Sequence, residues 1–129
     1  MSDKFTLEII SPEGTLLKVE ASEVVIPSYE GEMGILKDHI PLITFLRPGL
    51  IKIEDNKKTS FFVEEGTVEF VNNKLLILSS TAKELSVIDQ SSIQKQIIEA
   101  EKRISDDSLS DKKKYLLSYK INTLKNINQ

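Results

Sequence analysis

The chain has 129 residues, 40% of them hydrophobic and 29% charged, with a formal net charge of −3. This balance is that of an ordinary soluble globular protein and excludes a disordered chain, and the lack of any apolar run of about 18 residues excludes a membrane span. The absence of cysteine excludes disulfides, thiolate metal sites and a cysteine nucleophile.

The first 88 residues have the pattern of short β-strands. The N-terminal sequence MSDKFTLEII has no apolar signal region, which argues for a cytoplasmic location, and Phe5, Leu7 and Ile9 alternate with polar residues as in a half-buried strand. Residues 24–26 form a short apolar strand that we expect Pro27 to end. Turn sequences occur between the predicted strands at residues 11–14 (SPEG), 55–58 (DNKK) and 72–73 (NN). This pattern predicts an antiparallel β-sandwich over residues 1–88.

Residues 27–49 stand out within this region. They contain three of the five glycines, three of the four prolines and the only histidine. Such a density of residues with special φ preferences predicts a defined succession of turns and not a flexible linker. We expect these turns to present Glu32, Asp38 and His39 to a partner.

From Asp89 the periodicity becomes helical. Glycine and proline are absent after Gly66, and Asp89 is a plausible N-cap for a first helix. Ser108 and Asp111 have the spacing of a capping box at the start of a second helix. The apolar stripes are Ile93, Ile97, Ala100 and Ile104 in the first helix and Leu117, Ile121 and Leu124 in the second. They predict an antiparallel two-helix hairpin over residues 89–129.

The charges are unevenly distributed. Residues 1–88 carry 14 acidic and 9 basic side chains, and residues 89–129 carry 6 acidic and 8 basic ones. Because phosphate binding needs a concentrated basic face, nucleic acid is not expected as a partner. The last helix has a basic side, which is either a solvated face or a patch that docks weakly on an acidic surface. Its residues are Lys112, Lys113, Lys114, Lys120 and Lys125.

Candidates for catalysis or metal binding are few. His39 would need a nucleophile from elsewhere, and no G-x-S-x-G sequence is present. One histidine with scattered carboxylates lacks the ligand spacing of a zinc site, and no phosphate-binding loop occurs. We therefore predict no catalytic, metal-binding or cofactor-binding residue. Two alternatives stay open: a small β-sandwich hydrolase with His39 as base, and a binding module that self-associates through its helical hairpin.

The most specific motif covers residues 31–49, which read GEMGILKDHIPLITFLRPG. It matches the pattern GExGILPGHxPLxTxLxPG of the epsilon subunits of bacterial F-type ATP synthases, with Lys37 and Asp38 in place of the usual proline and glycine. A second match is residues 62–73 (FVEEGTVEFVNN), and a third, weaker one is residues 78–82. Over nearly its whole length the chain resembles this family of central-stalk subunits.

The resemblance implies a non-catalytic rotor subunit that couples rotation of the c-ring to the gamma subunit in a proton-translocating ATP synthase. The sandwich of residues 1–88 would bind gamma along one side and the polar loops of the c-ring at one end. Gly31, Glu32 and His39 match the family's ring-facing turn, with Glu32 and His39 as polar contacts and Gly31 as a turn former. The implied location is peripheral, on the cytoplasmic side of the bacterial inner membrane and without direct insertion.

The hairpin of residues 89–129 resembles the family's regulatory element, which can extend toward the alpha/beta hexamer and inhibit ATP hydrolysis. In the family that inhibition involves basic residues of the last helix, and Lys112, Lys113, Lys114 and Lys120 are the candidates for this role here. Some members bind ATP through a motif [IL]-D-x-x-R-A, but here Ser92 replaces the arginine. Because the guanidinium is the main phosphate-facing donor, we predict no useful ATP binding.

Overall fold

The computed structural model describes residues 3–127. The chain divides into two compact units between Leu85 and Ser86. The first unit contains the strands, and their bounds are β1 (Phe5–Ser11), β2 (Gly14–Ala21), β3 (Glu23–Ser28), β4 (Gly31–Leu36), β5 (Leu42–Leu46), β6 (Gly49–Glu54), β7 (Ser60–Val63), β8 (Gly66–Val71), β9 (Lys74–Leu78) and β10 (Lys83–Glu84). A 3₁₀ turn follows at Leu85–Val87, and the helices are α1 (Gln90–Ile104) and α2 (Asp111–Ile127).

The strands hydrogen-bond in the order β10–β7–β6–β3–β5–β8–β9–β1–β2, and β4 pairs with β3 outside this path. The link between β3 and β5 is a single pair, Ser28 with Leu46, so the sheet folds over there into a sandwich-like shape. This confirms the predicted fold class. One pairing departs from it, because β1 and β9 run parallel.

The core of the sandwich consists of the inward residues of alternating strands. Phe5, Leu7 and Ile9 are fully buried, as the alternation in β1 predicted. Phe5 meets the ring of Phe70 edge to face, with ring centroids 5.5 Å apart. Burial of side chains of this size stabilises the fold by roughly 1.5–3 kcal/mol each.

The predicted turns at 11–14, 55–58 and 72–73 each join two antiparallel strands. The tightest is the β8–β9 turn, where Asn72 and Asn73 have φ values of 50° and 58°. Positive φ at both central residues is the geometry of a primed turn, which asparagine tolerates. The prediction from the Asn-Asn pair is confirmed.

The prediction for residues 27–49 was wrong in one respect, because this stretch contains two strands, β4 and β5, besides its turns. Pro27 does not end β3, which continues to Ser28 and pairs with β4. The carbonyl of Pro27 accepts a hydrogen bond from the backbone N–H of Arg47 (2.9 Å). In an antiparallel strand the N–H and C=O of one residue point to the same side, so the backbone nitrogen of Pro27, like its carbonyl, points away from β4. The lack of an N–H at Pro27 therefore removes no hydrogen bond between β3 and β4.

The second unit is the predicted pair of helices. Asp89 is the N-cap of α1, and its carboxylate accepts the backbone N–H of Ser92 (2.7 Å). The two helices pack through a cluster formed by Ala100, Leu117 and Ile121, against which Ile104 and Leu109 lie.

The predicted cap of α2 was wrong. Ser110, and not Ser108, caps this helix by accepting the backbone N–H of Lys113 (3.2 Å). The N–H and hydroxyl of Ser108 both donate to Asp106 in the preceding turn, so Ser108 belongs to that turn and not to the helix start.

Candidate partner-binding surfaces

Gly31 and Glu32 lie at the end of the sandwich formed by the β3–β4 turn. Gly31 has φ 124°, a conformation that favours glycine, and its carbonyl accepts the hydroxyl of Ser28 (2.7 Å). Glu32 is the second residue of β4 and not a turn residue, which corrects its predicted position. Its carboxylate lies 3.8 Å from the ammonium of Lys52, and both side chains are more than half exposed. Such a surface ion pair contributes about 0–1 kcal/mol and leaves Glu32 able to contact a partner.

His39 lies at the other end of β4, in the turn that leads to β5. Its backbone N–H donates to the carbonyl of Leu36 (3.1 Å), which closes the turn. Its ring stands perpendicular to that of Phe70, with centroids 5.9 Å apart. Nδ1 lies 2.7 Å from the carbonyl oxygen of Ile40, and because a carbonyl only accepts, Nδ1 carries the hydrogen. The imidazole is thus held by its own turn.

Asp38 takes the place of the glycine in the family pattern. It has φ 66°, in the left-handed region that glycine visits freely and aspartate tolerates. The side chain of Asn73 bonds to both the backbone N–H and the carboxylate of Asp38 (2.7 and 2.9 Å). These bonds hold Asp38 in the left-handed conformation.

The structure does not bring the three predicted ring-contact residues together. Four steps of about 3.3 Å each along β4 separate Glu32 from Leu36, the residue to which His39 bonds, so roughly 13 Å separates Glu32 from the start of the turn that holds His39. A single short partner loop that contacts Gly31 and Glu32 does not reach His39.

A third surface was missed by the sequence reasoning. The strands β5, β8 and β9 are neighbours in the sheet, and we term the surface formed by their outward residues the β5–β9 face. These residues are Ile43, Phe45, Thr67, Glu69, Leu76 and Leu78. Ile43 is 75% exposed and Phe45 60% exposed, and a shallow depression of about 220 Å³ lies between Ile43 and Leu78. Exposed apolar residues on β5 and β9, with Thr67 and Glu69 between them on β8, are typical of a surface that binds another protein. The available signal was the sequence LITFL, which is apolar at nearly every position and not only at alternate ones.

The four lysines predicted as a basic patch lie in the first ten residues of α2. At about 100° per residue, Lys112, Lys113 and Lys120 lie within roughly 100° of one another around the helix, and Lys114 lies about 100° beyond Lys113. Lys112 and Lys113 are exposed, whereas Lys114 and Lys120 are half-buried. The charges thus cover a broad side of the helix, with three of them on one face.

The side chains in the segment that corresponds to the ATP-binding motif, residues 88–93, form hydrogen bonds within the start of α1. Asp89 accepts the backbone N–H of Ser92 and the hydroxyl of Ser91, and these bonds hold the pKa of its carboxyl below the usual range. The hydroxyl of Ser92, at the arginine position, accepts the side-chain amide of Gln96 (3.2 Å). These bonds stabilise the first turn of α1.

Within residues 3–127 no group of three or more histidine, aspartate or glutamate side chains is placed to hold a metal ion. In the same range no helix is long and apolar enough to cross a membrane.

A β-sandwich with an exposed apolar strand face, followed by a helical hairpin, is the architecture of a subunit that docks on other proteins. Residues 4–85 match the family model of the β-sandwich domain of ATP synthase delta/epsilon chains. The ATP synthase epsilon chain of Pelagibacter ubique is 44% identical, with 99% of this chain and 100% of the relative aligned. That of Myxococcus xanthus is 35% identical over 84% of this chain and 80% of the relative.

The fold is also similar to that of chains in two solved structures. One is the mitochondrial ATP synthase of Euglena gracilis, OSCP/F1/c-ring in rotational state 1 (TM-score 0.80, 19% identity, covering 100% of this chain and 84% of that one). The other is the central stalk/c-ring of the Tetrahymena thermophila mitochondrial ATP synthase (TM-score 0.68, 16% identity, 96% of each chain).

The chain therefore belongs to the family of ATP synthase delta/epsilon chains, as a non-catalytic subunit of that complex. This membership excludes the hydrolase alternative in which His39 acts as a general base.

Proposed function

We propose that the chain is the rotor subunit that links the gamma subunit to the c-ring and passes torque between them in a proton-translocating ATP synthase. The observation that carries this proposal is the β5–β9 face, because Ile43 and Phe45 are two large apolar side chains that lie next to each other on the outward side of β5 and are mostly exposed. The two similar solved structures, one of OSCP/F1/c-ring and one of a central stalk with its c-ring, support the same assembly.

Gamma is the partner that we assign to the β5–β9 face. Aromatic and large aliphatic residues dominate the centres of protein interfaces, and Phe45 with Ile43 supplies such a centre. Glu69 lies between Ile43 and Leu76 in the strand register and offers a carboxylate to a polar group of the partner.

The test is binding of the chain to an F1 core that contains gamma but lacks this subunit. Phe45→Asp places an uncompensated charge in the interface and is expected to lower the affinity at least about a hundredfold. The matched control is Leu16→Asp, because Leu16 is also an exposed apolar strand residue (41%) but lies on β2, the edge strand that β1 separates from β9. Equal loss in both variants, or none in either, would contradict this assignment.

The c-ring contact is proposed at the end that carries Gly31 and Glu32. Gly31 shapes the turn, and the exposed carboxylate of Glu32 is suited to hydrogen bonds with polar loops. His39, although part of the same motif, packs on Phe70, so we propose that it supports the β4–β5 turn and contributes to the ring contact less directly. Glu32→Gln should therefore weaken coupling between proton flow and ATP synthesis more than His39→Gln does, with both variants folded.

The helical hairpin is proposed as an inhibitor of ATP hydrolysis that acts on the alpha/beta hexamer. Lys112, Lys113 and Lys120 share one side of α2, and several weak contacts to an acidic surface add up when they act together. Replacing all three with alanine should raise the hydrolysis rate of the assembled enzyme. The matched control is Lys125→Ala, because Lys125 lies about 120° or more around α2 from these three lysines and pairs with Glu101 (3.3 Å). We further propose a peripheral location on the cytoplasmic side of the bacterial inner membrane, held there by the complex.

A further inference from the structure

We propose that Asp38 and Asn73 are positioning residues: together they hold the β4–β5 turn in the conformation that the partner of the β5–β9 face requires. This role rests on the proposed function, in which gamma binds that face. It adds two polar residues that do not belong to the apolar face itself.

Two reciprocal hydrogen bonds join Asp38 to Asn73, although the residues are 35 positions apart in sequence. The backbone N–H of Asp38 donates to Oδ1 of Asn73 (2.7 Å), and Nδ2 of Asn73 donates to Oδ1 of Asp38 (2.9 Å). The second bond has a charged acceptor and is stronger than a bond between neutral groups. We call this pair the turn clasp.

The anchor of the clasp is itself rigid. Asn73 is the second central residue of the tight β8–β9 turn, with φ 58°. Its carbonyl accepts the backbone N–H of Thr6 (3.1 Å), which ties the same residue to β1. The β4–β5 turn is therefore fastened to a point where three strands of the sandwich meet.

The β4–β5 turn needs these hydrogen bonds because its central residue, Asp38, has a positive φ. Asp38 adopts φ 66°, which is less favourable for aspartate than for the glycine of the family pattern. Bonds to Asn73 that form only in this conformation offset that cost.

The clasp acts on exposed apolar residues at the edge of the β5–β9 face. The turn leads through Ile40, which is 75% exposed, to Ile43 and Phe45. If the turn were loose, the partner would have to order Ile40 and the start of β5 on binding, and that lost entropy would appear as weaker affinity.

The decisive experiment exchanges the two side chains. Asn73→Asp removes the amide donor and sets two carboxylates against each other, while aspartate still tolerates the left-handed conformation. The double variant Asp38→Asn/Asn73→Asp restores a donor facing a carboxylate with the roles reversed. Asp38→Asn alone is the matched control, because the asparagine oxygen still accepts from Asn73.

The readout is affinity for the F1 core that contains gamma but lacks this subunit. We expect Asn73→Asp to bind about tenfold more weakly, the double variant to return to within about twofold of wild type, and Asp38→Asn to bind as wild type does. Hydrogen exchange at the His39 amide, which bonds to Leu36, should be faster in Asn73→Asp and should return to the wild-type rate in the double variant. Tm should fall by no more than a few degrees, so that the sandwich stays fully folded at the temperature of the binding assay and the loss of affinity is not a loss of fold. Asn73→Gly, which permits the positive φ without a side chain, should also bind more weakly.

Wild-type affinity in Asn73→Asp and Asn73→Gly, or no recovery in the double variant, would overturn the role of the clasp. Absence of binding by the wild-type chain, or unchanged binding by Phe45→Asp, would instead overturn the proposed function and the clasp with it.

Discussion

Replacement of Gly49 by alanine is expected to destabilise the sandwich. Gly49 begins β6 and is buried against Pro27, where a Cβ at position 49 would lie 2.6 Å from Cβ and 3.0 Å from Cγ of the proline. Atoms of a proline ring cannot rotate away as the end of a long side chain can, so the backbone of β3 or β6 must shift. This contact gives a physical reason for the glycine that ends the family motif.

The magnitude follows from two opposing terms. Overpacking of a dense core costs typically about 1–3 kcal/mol, and the lower entropy of alanine in the unfolded chain returns about 0.4–1 kcal/mol. We expect the free energy of unfolding to fall by a net ~1–2 kcal/mol. For a chain of this size that corresponds to a fall in Tm of about 3–8 °C.

Thermal and urea unfolding followed by circular dichroism measures this change. Gly34→Ala is the matched control, because a Cβ there would meet only the end of the flexible Glu23 side chain, at 3.0 Å. The control should stay within about 0.5 kcal/mol of wild type. If Gly49→Ala proved as stable as the control, the contact with Pro27 would not be the reason for glycine at position 49.

Three further outcomes are expected. The carboxyls of Asp89 and Asp106 have pKa values below the usual 3.8, because each accepts a backbone N–H and a serine hydroxyl. Both carboxylates therefore stabilise the hairpin above that pH, and this stabilisation is lost as the pH falls through the lowered pKa values. The helical circular dichroism signal should decrease below about pH 4, and it should decrease less in a variant with asparagine at both positions. Ser110→Ala should cost the hairpin about 1 kcal/mol by chemical unfolding and Ser108→Ala clearly less, since Ser110 caps α2; the reverse order would refute that cap. Calorimetric titration with ATP should give no measurable affinity, and tight binding would show that Ser92 does not disable the motif.

The parts of the fold that follow from local chemistry could be predicted from sequence. The alternation in β1, the Asn72-Asn73 turn and the Asp89 cap each depend on residues close together in the chain. β4 was not predicted, because GEMGIL has two glycines and no clear alternation, and its strand conformation depends on pairing with β3. The parallel pairing of β1 with β9 joins residues about 68 positions apart and leaves no local signal.

The candidate surfaces were predictable to different degrees. Gly31, Glu32 and His39 were found because their motif is specific, but the separation of Glu32 from His39 depends on the strand between them. Ile43 and Phe45 were not recognised, because residues 27–49 were interpreted as a succession of turns and the apolar run LITFL has no alternation that would mark an outward side. Only the structure shows that one side of β5 is uncovered.

The two units differ in the size of their own cores, and this difference bears on regulation. The cluster within the sandwich contains 16 buried apolar residues, whereas the cluster within the hairpin consists of Ala100, Leu117 and Ile121. Because short helices depend on packing for their stability, separating α1 from α2 costs far less than opening the sandwich. As part of the regulation proposed above, we propose that the hairpin changes conformation while the β5–β9 face stays intact. Changes confined to α2, such as the triple lysine replacement, should then alter hydrolysis while affinity for the gamma-containing core through Phe45 stays constant; a parallel loss of both would mean that the two units do not act independently.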